Sequence, residues 1–274
     1  MRKTILITGT SSGIGKATAK EFADKGWNVI ATMRNPAKEK ELAQMDHVLV
    51  TRLDVAHPST IQDAIAAGLQ KFGAIDVLIN NAGQGLFGVF EATPQERINK
   101  QFEVNVFGVM HVIKAILPHF RSRKQGTIVN ISSSTGLFTI PLLSVYSASK
   151  YALEGFSESL SFELGAQNIR VKLIEPGMVD TNFDHATMAN YAADQNQEAY
   201  SSYFEKMTQL LSSEDTSETK VSAQDVAKVI FNAVTDDSDI LRYVIGDDVK
   251  AMQALRASMP DHKYMEIMRQ RFAV

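Results

Sequence analysis

The chain has 274 residues, 45% of them hydrophobic and 22% charged, with a net charge of −3 and no cysteine. Such a composition belongs to a folded globular chain, and the near-neutral charge gives no electrostatic reason to expect a nucleic acid or an anionic membrane as partner. Without cysteine there are no disulfides, thiolate metal sites or cysteine nucleophiles, which fits a reducing cytoplasm as the expected location.

The apolar run behind Arg2 and Lys3, only Ile5 to Ile7, is too short for a signal peptide, and no window approaches a membrane-spanning helix. Thr4 to Ile7 reads as a buried parallel strand. Thr8-Gly9-Thr10-Ser11-Ser12-Gly13-Ile14-Gly15 follows directly, and a helical stretch runs from Lys16 towards Gly26. Strand, glycine-rich turn and helix form the context for binding a pyrophosphate. Gly9 permits the tight turn, Gly13 lets the backbone approach the anion, and Gly15 lets the helix pack on its strand. The helix N-terminus then offers free N–H groups. Gly9, Ser11, Ser12, Gly13, Ile14 and Gly15 are therefore candidate cofactor residues.

Trp27 to Thr32 is the second strand, with Met33 and Arg34 at its C-terminal end. An NAD site wants an acid here for the ribose 2′-hydroxyl. Arg34 stands there instead, and a guanidinium suits the 2′-phosphate of NADP, so NADP(H) is expected over NAD(H). Asn35-Pro36 predicts a short helix through about Gln44. Val48 to Thr51 is strand three, leading to Asp54; Pro58 to Phe72 is helical; Ile75 to Ile79 is strand four, leading to Asn80-Asn81-Ala82-Gly83. This alternation predicts a parallel sheet wound on both faces, with ligands at the C-terminal strand ends.

Thr93-Pro94 predicts a helix start, capped by the threonine and continuing to about Arg123 with a bend near Asn105 or Gly108. Its part from Val106 to Leu117 is more apolar than one buried face requires, which predicts a second covering surface: a homodimer or homotetramer. Arg121, Arg123 and Lys124 complement the helix C-terminus.

Thr127 to Ile131 is strand five. Ser132-Ser133-Ser134-Thr135-Gly136 and an apolar loop with Pro141 lead into a helix carrying Tyr146 and Lys150. Four residues apart on a helix, those two lie on one face. A free tyrosine, with a pKa of about 10, is a poor acid or base at neutral pH. An ammonium one turn away favours the phenolate. Ile169 to Ile174 is strand six, ending at Glu175-Pro176-Gly177. From about 182 to 222 the composition shifts to Ala, Asn, Gln, Ser, Thr and Tyr, with helical patches from Met188 to Met207, and reads as a mobile flap. Ser222 caps a helix through Val234, Leu241 to Gly246 is a seventh strand, and 247–274 is a tail of one or two helices.

Together these residues resemble the short-chain dehydrogenase/reductase family along almost the whole chain. The matches are Thr8-Gly9-x-x-x-Gly13-Ile14-Gly15, Asp54, Asn80 to Gly83, Asn105, Ser133, Tyr146-x-x-x-Lys150, and Pro176-Gly177 with Thr181. Ala31-Thr32-x-Arg34-Asn35 and the long tail resemble the branch of retinol and 17β-hydroxysteroid dehydrogenases and their bacterial relatives. The implied fold is a Rossmann-type, doubly wound, parallel seven-stranded sheet in a single domain over 1–274, with the flap and tail as additions. By this resemblance Tyr146 would be the general acid or base. Lys150 would lower its pKa and hold the nicotinamide ribose, Ser133 would orient the substrate oxygen, and Asn105 would hold a proton-relaying water. Asp54 and Val55 would flank the adenine, with Asn81, Ala82 and Gly83 along the ribose; Pro176, Gly177, Val179 and Thr181 complete the cofactor set.

The substrate contacts expected are Ser133 and Tyr146 with a wall of Gln84, Leu86, Phe138, Leu142, Met178 and Phe183. That largely apolar wall favours a hydrophobic ketone, aldehyde or secondary alcohol, although the same residues also suit plain core. No metal site is expected from the histidine spacing. A non-catalytic NADP-binding sensor or scaffold, and an epimerase or dehydratase on the same fold, remain the alternatives.

Overall fold

The computed structural model describes residues 2–181, 183, 187, 198–214 and 220–272. Its strands, in chain order, are β1 (Thr4–Thr8), β2 (Asn28–Met33), β3 (Val48–Arg52), β4 (Val77–Asn80), β5 (Gly126–Ile131), β6 (Ile169–Pro176), β7 (Val179–Asp180), β8 (Val221–Ser222) and β9 (Arg242–Ile245). Seven of them make one parallel sheet in the order β3-β2-β1-β4-β5-β6-β9. All residues of β1, β4 and β5 are buried. Unbroken apolar runs of this kind arise when helices cover both faces of a parallel sheet.

The helices are α1 (Gly13–Asp24), α2 (Pro58–Phe72), α3 (Gln95–Phe102), α4 (Val109–Arg123), α5 (Ser144–Gly165), α6 (Glu198–Glu214), α7 (Ala223–Thr235), α8 (Asp247–Ala257) and α9 (Asp261–Phe272). On one face Phe22 of α1 and Val226, Ile230 and Ala233 of α7 pack over Ile5, Ile7 and Val129. On the other, Ile61 of α2, Val112 and Ile116 of α4, and Leu153 and Leu160 of α5 cover Leu6, Leu78 and Ile128. A third apolar cluster joins the tail to the site end of the sheet: Tyr264, Met268 and Phe272 of α9 pack with Val249, Phe87, Phe138, Leu142 and Met207.

Several expectations need correction. The predicted helix from Pro36 to Gln44 is two single 3₁₀ turns, Pro36–Lys38 and Leu42–Gln44. Glu39 breaks it, because its carboxylate accepts from the backbone N–H of Glu41 and Leu42. Thr93 does not cap α3; its hydroxyl donates to Val89 O and the helix begins at Gln95. The expected bend is a π-helical segment, Glu103–Gly108, between α3 and α4. Most of the surplus apolar surface on α4 is spent inside this chain, with Val106, Val109, Val112, Ile113 and Ile116 buried and Phe107 left half exposed. β7 pairs with β8 in parallel, a contact outside the main sheet. Two-residue strands carry no periodic pattern, and their register is set across more than forty residues of chain.

Of the expected flap, 182, 184–186, 188–197 and 215–219, including Met188, lie outside the described residues. The rest contains α6, whose Met207 is fully buried.

Candidate active site

The glycine turn is locked from both sides. Gly9 and Gly13 have φ of +73° and +55°, where a side chain would be strained. A Cβ at Gly15 would lie 2.3 Å from both Gly9 O and Asn81 Nδ2, so only glycine fits. Asn81 Nδ2 donates to Thr8 O and Gly9 O at 2.9 Å, while Thr8 Oγ1 accepts from the N–H groups of Asn81 and Ala82. The end of β4 therefore holds the turn after β1. Ser12 precedes α1 in extended conformation and makes no capping bond, and the first turn of α1 has no acidic residue. Its N–H groups, with Ser11 and Ser12 exposed beside them, suit an anion. Thr181 faces the turn, with Cγ2 3.4 Å from where a Gly13 Cβ would stand. These features fit the pyrophosphate of a dinucleotide.

Arg34 follows β2 and is exposed. The nearby acids are engaged elsewhere: Glu39 and Glu41 pair with Lys16 at 3.2 and 3.0 Å, and Glu41 with Lys20 at 2.6 Å. Lys20 and Lys16 hold the Glu41 carboxyl down at about 2. Asp54 accepts from Ala56 N–H and stands 3.4 Å from His57 Nδ1, closing its own turn at the end of β3. Val55 is buried against the π segment, where a Cβ on Gly108 would come within 2.7 Å of its Cγ2.

Asn105 sits in the π segment, a distortion frequent at functional sites. Its Oδ1 accepts from Gln84 N–H and its Nδ2 donates to Gln84 O, both at 2.9 Å. Gln101 also donates to Gln84 O, and to Ser149 Oγ, which in turn donates to Tyr146 O. Gly83 lies alongside, its missing Cβ 3.5 Å from Asn105 Oδ1. This network joins the loop after β4 to the first turns of α5. Sequence reasoning missed Gln101 and Ser149. For Gln101 the available signal was a glutamine one turn before Asn105, on the same helix face.

Tyr146 and Lys150 project from α5 as expected. Lys150 Nζ lies 5.7 Å from the Tyr146 ring centre and donates to Ile131 O at 2.9 Å. Burial lowers the Lys150 pKa from 10.5 to about 8, against the opposing pull of Glu154. Ser133 ends the strand extension after β5. Its Oγ accepts from both the N–H and the hydroxyl of Thr135, leaving its own proton to donate onward. Phe183 approaches Tyr146 with ring centres 6.1 Å apart. Met178 and Phe183 are exposed, whereas Leu86, Phe138 and Leu142 are buried, the last two in the tail cluster. Gly177 N–H donates to Ile245 O after Pro176 ends β6, and Val179 is buried in β7. Among the described residues no three His, Asp or Glu side chains group as a metal site would need, and no helix is long and apolar enough to cross a membrane.

The family model for short chain dehydrogenases matches residues 3–192. Oxidoreductase YusZ of Bacillus subtilis is 35% identical, with 98% of each chain covered. The 3-ketodihydrosphingosine reductase of Bacteroides thetaiotaomicron is 37% identical over 74% of each chain. Retinol dehydrogenase 8 of Bos taurus is 34% identical over 94% of this chain and 86% of its own. Among solved structures, a short-chain dehydrogenase from Streptomyces avermitilis superposes with a TM-score of 0.80 at 31% identity, over 98% of both chains. ElxO with NADP bound gives 0.72 at 28% identity, over 89% and 98%. A Burkholderia phymatum family member in complex with NAD gives 0.80 at 25%, over 94% and 93%. By the match of the family model over residues 3–192, and by relatives at 34–37% identity, the chain belongs to the short-chain dehydrogenase/reductase family of oxidoreductases.

Proposed function

We propose that the protein reduces a hydrophobic ketone or aldehyde, or oxidises the corresponding secondary alcohol, with Tyr146 as general acid or base and NADP(H) as the preferred cofactor. The observation that carries this reading is the pairing of Tyr146 with a buried Lys150 one turn away, together with a Ser133 hydroxyl that accepts from Thr135 and keeps its own proton to donate. The dinucleotide supplies or accepts the hydride when bound. In the reducing direction Ser133 donates a hydrogen bond to the carbonyl oxygen and orients it. Tyr146 delivers the proton to that oxygen as the carbon becomes saturated, and the Lys150 ammonium stabilises the phenolate left behind.

Asn105 has both ends of its carboxamide on the Gln84 backbone, which supports a positioning role more than a water carried on its side chain. Gly9, Ser11, Ser12, Gly13, Ile14 and Gly15 would hold the pyrophosphate. Asp54, Val55, Asn81, Ala82 and Gly83 would border the adenosine, Lys150 the nicotinamide ribose, and Pro176, Gly177, Val179 and Thr181 the nicotinamide end. Arg34, with the nearby acids occupied by lysines, supports the preference for a 2′-phosphate. A ElxO structure with NADP and a family member with NAD show both forms among neighbours, so the preference rests on Arg34. Met178 and Phe183 are the wall residues that border Tyr146 in this reading, with Gln84 and Phe138 behind them. The reductase and retinol dehydrogenase relatives support a bulky apolar substrate. A cytoplasmic homodimer or homotetramer completes the proposal.

The test is NADPH oxidation against a panel of ketones, aldehydes, steroids and long-chain keto compounds. Tyr146→Phe removes only the hydroxyl, so turnover should fall by at least ~10²–10⁴-fold while cofactor affinity survives. Near-full turnover in Tyr146→Phe would overturn the assignment.

A further inference from the structure

One turn beyond Lys150, a buried acidic pair lies behind the site and has no part in the mechanism above. Glu154 of α5 and Glu175 near the end of β6 are 6% and 0% exposed. Arg242 of β9 sits between them. Its Nε is 3.0 Å from Glu154 Oε2 and 3.3 Å from Glu175 Oε1, and its Nη2 is 2.6 Å from Glu158 Oε2 at the rim. One guanidinium is thus divided among three carboxyls, and Glu175 has the longest contact. Neither oxygen of Glu175 accepts a hydrogen bond, nor does Glu154 Oε1. A buried carboxylate left in that state is costly.

A single proton removes the difficulty. On Glu175 it makes that carboxyl neutral and turns it into a donor, beside the Glu154 with which it shares Arg242 Nε and whose Oε1 also lacks a partner. Burial first, and then the neighbouring Glu154, push Glu175 up to about 8. Other charged and titratable groups also lie near the pair. On α5 these are Lys150, Glu158 and Tyr151, and Tyr151 OH is held by Leu137 O and by Arg256 of α8. The turn over the pair brings Ser132 and Gly136 against Glu154; a Cβ at 136 would lie 3.0 Å from both Ser132 Oγ and Glu154 Cγ, so this glycine leaves the pair its space.

We propose that Glu154 and Glu175 share one proton at neutral pH, and that the single negative charge they retain, clamped by Arg242, keeps the buried Lys150 ammonium charged. Both carboxyls are then positioning residues acting through Lys150; this second half rests on the role given to Lys150 above. The arrangement answers a physical problem. Burial pulls Lys150 towards neutrality, and the charge on Glu154 opposes that pull. Two full charges on the pair would repel each other; none would leave Lys150 unsupported.

The experiment uses the full chain. Infrared spectroscopy of the cofactor-free protein, in water and in heavy water, should show the carbonyl band of a protonated carboxyl at neutral pH. The band should vanish in Glu175→Gln. In the active enzyme, Glu154→Gln should move the pH midpoint of alcohol oxidation upward by about one unit, a tenfold loss of rate below it, because a weaker ammonium favours the phenolate less. Absence of the band in the wild type overturns the proposal, and so does a Glu154→Gln pH profile that superimposes on the wild type. If instead the reading of Lys150 is at fault, Lys150→Met turns over normally while the band remains, so the two failures are distinguishable.

Discussion

Replacing Lys150 by methionine should change stability in a way that depends on pH with an unusual sign. The side chain is buried, and its pKa falls from 10.5 in the unfolded chain to about 8 in the fold. Below pH 8 both states carry the proton, and the native state bears the whole cost of a desolvated ammonium. Between 8 and 10.5 the unfolded chain binds more proton than the native one, so stability rises with pH. Above 10.5 both are neutral. A depression of about 2.5 units, the difference between those two values, corresponds at ~1.4 kcal/mol per unit to about 3 kcal/mol. Lys150→Met has no such titration. Urea unfolding of wild type and variant across this window should therefore show the wild type gaining about 3 kcal/mol relative to the variant. Parallel stability profiles would refute the reasoning, because they would mean that Lys150 titrates as an exposed lysine. The same variant should bind cofactor more weakly, since the ammonium kept at this cost is the group assigned to the ribose.

Two further outcomes follow from the site and the surface. Arg34→Ala should cut the preference for NADP(H) over NAD(H) by about ten- to a hundred-fold, the worth of one charge-assisted pair of roughly 1.5–3 kcal/mol; equal affinities in the wild type, measured by fluorescence titration, would remove the basis of the preference. Light scattering at micromolar concentration should show an oligomer, because Phe107 of the π segment and Phe162 of α5 are left 52% and 76% exposed; a monomer would refute that expectation.

The sequence by itself determined the strand order of events: apolar β-branched runs, each followed by a turn and a helix, and the positions of Gly9, Gly13, Gly15, Ser133, Tyr146 and Lys150 at the strand ends or one turn apart. These are local facts, set by backbone freedom at glycine and by helical periodicity, and so they are legible one segment at a time. The choice between a helix and two 3₁₀ turns at 36–44 was not local, because Glu39 is held by Lys16 of another element. The role of Asn105 depended on Gln84 lying beneath it, and the π segment that aims it has no sequence period of its own. Phe138 and Leu142 read equally as pocket wall or core until the tail folded back on them. Glu154 and Glu175 stand 21 positions apart and look like ordinary polar residues of a helix and a strand end; only the packing of α5 against β6 and β9 buries them together around one arginine. Such contacts are decided by tertiary structure because burial and charge pairing depend on distance in space, which the spacing along the chain does not carry.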